Sequence, residues 1–153
     1  MKAPEHVFKL ITDFWEANKE NVSEEQLPEG STFLNFWDDT VKFVSIENPE
    51  LIGGGTDLYN SILSATNPIV SEWTGQDLEG SSVYGIRIYK EKAIMAPHVD
   101  RLPLICSAII NVAQDIDEDW PLEVIGHDGI AKNVTLEPGD LLLYESHSVL
   151  HGK

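Results

Sequence analysis

The sequence predicts an α+β protein, mainly β, with two N-terminal helices packed on an antiparallel β-sandwich or barrel. Two textures carry this expectation. Up to about residue 80, apolar residues recur at helical spacing in two segments; beyond Gly80 they fall in short runs divided by turn-forming residues. The 153 residues read as one domain, because no linker divides them and this length can bury a single core. Residues 1–80 are the helical support and residues 81–153 the β core.

In the first segment, residues 4 to about 19, the side chains Val7, Leu10, Ile11, Phe14 and Trp15 follow the i, i+3, i+4, i+7, i+8 pattern of an amphipathic helix. Residues 20–31 are acidic, contain Pro28 and Gly30, and read as a loop. Residues 33–46 mix aromatic and β-branched side chains and read as strand. Gly53-Gly54-Gly55 reads as a flexible joint. It lacks the following Lys-Ser/Thr that a phosphate-binding loop requires. A second helix is expected over residues 56–73, with Leu58, Ile62, Leu63 and Ile69 on its inner face and Pro68 bending or interrupting it. Strands are then expected at 83–89, 104–112, 122–125, 132–136 and 141–144, separated by turns such as His127-Asp128-Gly129 and Glu137-Pro138-Gly139-Asp140.

Ten basic and twenty-six acidic side chains give a net charge of −16. Such a surface repels phosphate backbones, so no nucleic-acid partner is expected; it favours solubility and would attract a basic or neutral partner. Cys106 is the single cysteine and sits among apolar neighbours, as a buried core thiol would. Neither an apolar leader nor a membrane-length apolar run is present, so a soluble, cytoplasmic protein without membrane association is expected. Trp15, Trp37, Trp73 and Trp120 are expected in the core or half-buried.

The chemistry concentrates in Met95-Ala96-Pro97-His98-Val99-Asp100-Arg101. In an extended strand, residues i and i+2 face the same side, so His98 and Asp100 would present an imidazole and a carboxylate together. One more histidine completes a facial triad that leaves open positions on an octahedral metal such as iron(II). His151 and His147 both lie far enough downstream to be returned beside the pair. His127, in a turn, and His6, on the first helix, are expected to face solvent.

The wider pattern resembles the prolyl 4-hydroxylase-like branch of the iron(II)- and 2-oxoglutarate-dependent oxygenases. A tyrosine-bearing strand and short hairpin lead to Pro-His-X-Asp, here from Tyr89 to Asp100. A Pro-Gly-Asp turn then precedes an apolar strand ending in an aromatic residue and a His-Gly pair, here from Pro138 to His151-Gly152. The resemblance covers about residues 82–153. It implies a double-stranded β-helix, or jelly roll, with iron(II) held by His98, Asp100 and His151, the last preferred over His147 for the glycine that follows it. It also implies 2-oxoglutarate and O2 as cosubstrates, ascorbate as an optional addition, and hydroxylation of a C–H bond of a prolyl residue in a peptide or protein, or of a small molecule.

By the same resemblance Tyr89 would offer its phenol to 2-oxoglutarate. Arg87 shares its face and, as an arginine turned inward, needs an anion: either a buried carboxylate or the cosubstrate. Arg101 and Trp120 are expected at the substrate mouth. The family anchors the far carboxylate of 2-oxoglutarate with a basic residue on a strand beyond the distal histidine. This sequence stops at Lys153, so that last strand is expected to be missing and Lys153 is a candidate for the anchor. A non-catalytic metal-binding jelly roll and an acidic interaction domain are the competing classes.

Overall fold

The first helical pattern folds as α1 (Glu5–Asn18) in the computed structural model, which describes residues 1–27 and 38–153. Glu5 lies in its first turn, where a carboxylate complements the helix dipole. Val7, Ile11 and Phe14 form the buried stripe. Asn18 closes the helix: its buried amide donates to the carbonyls of Phe14 and Ile52 and accepts from the Ile52 N–H, clasping α1 to the glycine-rich turn. Gly54 has no room there for a side chain, since a Cβ would lie 2.4 Å from the Asn48 carbonyl oxygen.

The second helix, α2 (Thr56–Thr74), starts after Gly55 and ends at Gly75, whose left-handed backbone (φ 66°) terminates it. Pro68 lies inside α2 and does not interrupt it, contrary to one of the two expected outcomes. A proline removes one helical N–H donor, and a helix whose inner face is buried at Leu58 and Ile62 tolerates that loss. Leu63 and Ile69 are only partly buried.

The eight strands among the described residues are short: β1 (Ser23–Glu24), β2 (Lys42–Val44), β3 (Ile86–Ile88), β4 (Ser107–Ile110), β5 (Leu122–Ile125), β6 (Ala131–Val134), β7 (Leu141–Tyr144) and β8 (Leu150–Gly152). They form three antiparallel sheets, ordered β1-β2-β3, β4-β7 and β6-β5-β8. Strand β1 lies within the stretch expected as loop. Pro28, Gly30, the strand onset expected at Phe33, and Trp37 lie outside the described residues.

The core joins α1 and α2 to the first sheet through Val7, Ile11, Phe14, Val44, Ile46, Leu58, Ile62 and Ile86, with Ile110 and Val112 packed against it. Each such side chain contributes about 1.5–3 kcal/mol when fully buried. The N-terminus is tied in as well. The Met1 ammonium donates to the Leu141 carbonyl, and Lys2 Nζ pairs with Asp140 at 2.8 Å. No helix among the described residues is long and apolar enough to cross a membrane.

Candidate metal centre

His98 and Asp100 do not lie on a named strand. A single antiparallel bridge holds His98 opposite His151, with both reciprocal backbone hydrogen bonds at 3.0 Å. The contact continues along the chain as Met95 and Lys153 exchange their own pair of backbone bonds. Asp100 is fixed separately, its N–H donating to the Ser146 carbonyl at 2.8 Å.

Gly152 has a physical reason in this arrangement. A Cβ there would lie 2.7 Å from the Met95 carbonyl oxygen and 3.0 Å from Pro97 N. Gly152→Ala is therefore expected to force β8 away from residues 95–97 and cost about 1–3 kcal/mol, as overpacking does. Thermal unfolding measures this, and an unchanged melting temperature would show that the strand shifts freely.

His98 Nδ1 donates to the Ala96 carbonyl at 2.8 Å and His151 Nδ1 to the Val149 carbonyl at 3.0 Å, each in the tautomer that makes this bond. Both Nε2 atoms then point to the same carboxylate, each lying 3.7 Å from Asp100 Oδ1. One ligand atom from each of the three residues falls within 4.8 Å of the others. A metal about 2.1 Å from each of three mutually cis ligands would need them about 3.0 Å apart, so the 3.7 Å separations between Asp100 and the two histidines would close by about 0.7 Å in a loaded site.

The electrostatics suit a cation. Burial lowers the His151 pKa and so favours the neutral imidazole that can ligate. Burial pushes the Asp100 carboxyl up, but His98, His151 and the hydroxyls of Ser146 and Ser107 outweigh it and hold the group ionised below its usual range. Ser107 Oγ lies 3.2 Å from Asp100 Oδ2 and 2.7 Å from Ser146 Oγ, and Ser146 Oγ donates to the Leu104 carbonyl.

His147 is exposed and turns its Nδ1 to the Asp100 carbonyl oxygen at 2.6 Å, outside the triad. His127 is exposed and pairs with Glu145, and His6 is exposed on α1. Arg101 is exposed beside the triad; its guanidinium makes a long hydrogen bond to the Leu102 carbonyl, and its own carbonyl accepts from the Leu104 N–H.

Arg87 meets the buried carboxylate that its inward position requires. Its Nε donates to Glu25 Oε1 at 2.8 Å, the Glu25 side chain is 1% exposed, and Tyr84 Oη donates to the same oxygen at 2.6 Å. Tyr89 lies beside Arg87, and burial raises its pKa. Trp120 packs edge-on against Tyr89 with ring centroids 6.0 Å apart. Lys153 Nζ lies over both rings and donates to the Trp120 carbonyl at 2.8 Å. It has no acidic partner among the described residues, and burial lowers its pKa. A pocket of about 360 Å³ opens beside it, bounded by Met95, Pro97, Trp120 and Gly152.

One expectation needs correction. Cys106 immediately precedes β4, is only partly buried and lines a groove of about 450 Å³ with Trp73, Leu78 and Ile105. Trp73, 46% exposed, is half-buried on the rim of that groove.

Four contributors escaped the sequence reading. Ser107 and Ser146 hold Asp100, Glu25 holds Arg87, and Tyr144 packs its ring on His151 at a centroid distance of 4.7 Å. A serine opening an apolar run was a usable signal for Ser107. Glu25, in an acidic stretch, carried none. Comparison of the chain with protein-family models, curated proteins and solved structures finds no match.

Proposed function

We propose that this chain is an iron(II)- and 2-oxoglutarate-dependent oxygenase that hydroxylates a C–H bond. The observation that carries the reading is the convergence of two Nε2 atoms and one carboxylate oxygen from His98, His151 and Asp100. This is the two-histidine, one-carboxylate donor set suited to non-haem iron(II), with positions left for other ligands. A jelly roll is the architecture we infer. Residues 95–98 lie beside β8, β8 beside β5, and β5 beside β6, while β4 and β7 form a second antiparallel layer.

Iron(II) with 2-oxoglutarate, when bound, supplies the oxidising chemistry: O2 and 2-oxoglutarate are consumed, succinate and CO2 are released, and one oxygen atom enters the C–H bond. The chain's own part is positional. The Ala96 and Val149 carbonyls fix the two imidazoles, and Ser107 with the Ser146 backbone fixes the carboxylate. Lys153 is the group we assign to the far carboxylate of 2-oxoglutarate, because Arg87 is already engaged by Glu25 and Lys153 faces no acid among the described residues. Tyr89 and Trp120 wall that ammonium from water. Arg101, exposed next to Asp100, faces an incoming substrate; a prolyl residue of a peptide is the substrate that the sequence resemblance supports.

The test is iron-dependent succinate formation coupled to O2 consumption. Binding gives a separate check on Lys153. Lys153→Ala is expected to weaken 2-oxoglutarate binding to the manganese-loaded protein by about ten- to a hundredfold, the loss of a charged hydrogen bond. Equal affinities would remove Lys153 from the site.

A further inference from the structure

We propose that Tyr144 is a binding residue of the metal centre, donating its phenol O–H to the anion that takes an open coordination position beside His151. The inference rests on the metal reading of the triad but not on oxygenase chemistry. Its geometric basis is direct. Tyr144 Oη lies 3.5 Å from His151 Nε2, the ring nitrogen that also faces Asp100 Oδ1, while Nδ1 is bonded to the Val149 carbonyl. The two rings meet edge-on at 71°, and this packing sets the hydroxyl at the Nε2 edge of the imidazole. Register gives the cause: Tyr144 pairs with Ser107 across β4 and β7, and Ser107 contacts Asp100 Oδ2. The phenol and the carboxylate therefore share one side of the sheet.

A metal at Nε2 uses the lone pair that the phenol now faces. Asp100 would be engaged by the same ion, and the Ser107 hydroxyl already faces Asp100 and Ser146. The phenol also shares a side-chain hydrogen bond with Ser107, and an anion in the neighbouring position gives its O–H the acceptor that His151 Nε2 no longer offers. The chemical class is a small oxygen- or nitrogen-donor anion, including a carboxylate oxygen. An anion so placed gains a hydrogen bond that water, itself a donor, uses less well. Tyr144 thus sets which ligand the open face prefers.

Azide is the probe. Protein loaded with cobalt(II) is titrated with sodium azide and followed by the visible d–d absorption of the metal, for wild type, Tyr144→Phe and, as a control on α2, Tyr59→Phe. Tyr144→Phe removes only the hydroxyl and keeps the ring against His151. The expected result is unchanged cobalt affinity in all three proteins and an azide dissociation constant raised about tenfold in Tyr144→Phe alone. Azide affinity equal in wild type and Tyr144→Phe, or unmeasurable in both, overturns the role of Tyr144 and leaves the metal site standing. Loss of cobalt affinity in Tyr144→Phe overturns it too, since the hydroxyl would then serve the metal and not its ligand. A wild-type protein that takes up no cobalt overturns the metal reading and this inference together.

Discussion

Replacing any one of His98, Asp100 or His151 by alanine is expected to lower the affinity for manganese(II) or cobalt(II) by more than about a hundredfold. The scale follows from outer contacts, whose loss alone typically costs 10–100-fold at a metal site; losing a ligand costs more. The three side chains are separately anchored, His98 and His151 by one reciprocal bridge and Asp100 by the Ser146 carbonyl, so removing one does not by itself displace the other two. Ser107→Ala, which removes a hydroxyl 3.2 Å from Asp100 Oδ2, is expected to cost about tenfold. His147→Ala is expected to cost less than that, because its ring nitrogen meets the Asp100 backbone oxygen and not the carboxylate. Calorimetric titration of the folded variants reads all five. Wild-type affinity in Asp100→Ala would show that the carboxylate is not a ligand, and a reversed order of His147 and His151 would move the ligand role to His147.

The meeting of His98 with Asp100 was legible in their i, i+2 spacing, but its scaffold was not. The expectation invoked a strand, whereas the chain supplies one bridge to His151 and one bond to Ser146. Pairing across such sequence distances depends on how turns return the chain, and local propensity does not encode that. The same division holds at Arg87. Its need for an anion followed from desolvation alone, while its partner Glu25 lies 62 positions earlier in a stretch that reads as solvated loop. Both helices were readable because their apolar stripes repeat every turn, and of the two outcomes expected at Pro68 the interruption does not occur, because propensity gives way to the packing of Leu58 and Ile62. The long runs expected as strands shortened to three or four residues, since apolar character persists beyond the last ladder hydrogen bond. The role of Gly152 needed the approach of Met95 and Pro97, which no single segment reveals.

Arg87→Ala is expected to lower the unfolding free energy by about 3 kcal/mol, the low end of the range for breaking a buried ion pair. Glu25 is nearly inaccessible, at 1% side-chain exposure, and its Oε1 receives both Arg87 Nε and Tyr84 Oη. Removing the guanidinium leaves the carboxylate inside without that cation, and water cannot replace it fully. The low end applies because the Arg87 side chain retains 29% exposure and the Tyr84 hydroxyl still donates. Replacing both partners by apolar residues, Glu25→Leu with Arg87→Met, is expected to recover most of the loss, since neither charge then has to be desolvated. Tyr84, half exposed, can turn its hydroxyl to water in that variant. Urea unfolding of the two single variants and the double variant measures the coupling; a cost below about 1 kcal/mol for Arg87→Ala would mean that the pair is effectively solvated. The same variants separate stability from binding. If Glu25 rather than 2-oxoglutarate is the anion of Arg87, the Glu25→Leu/Arg87→Met protein keeps its 2-oxoglutarate affinity while Lys153→Ala loses it. An affinity that follows Arg87 instead would put the cosubstrate's far carboxylate on the guanidinium, with Glu25 yielding its place on binding.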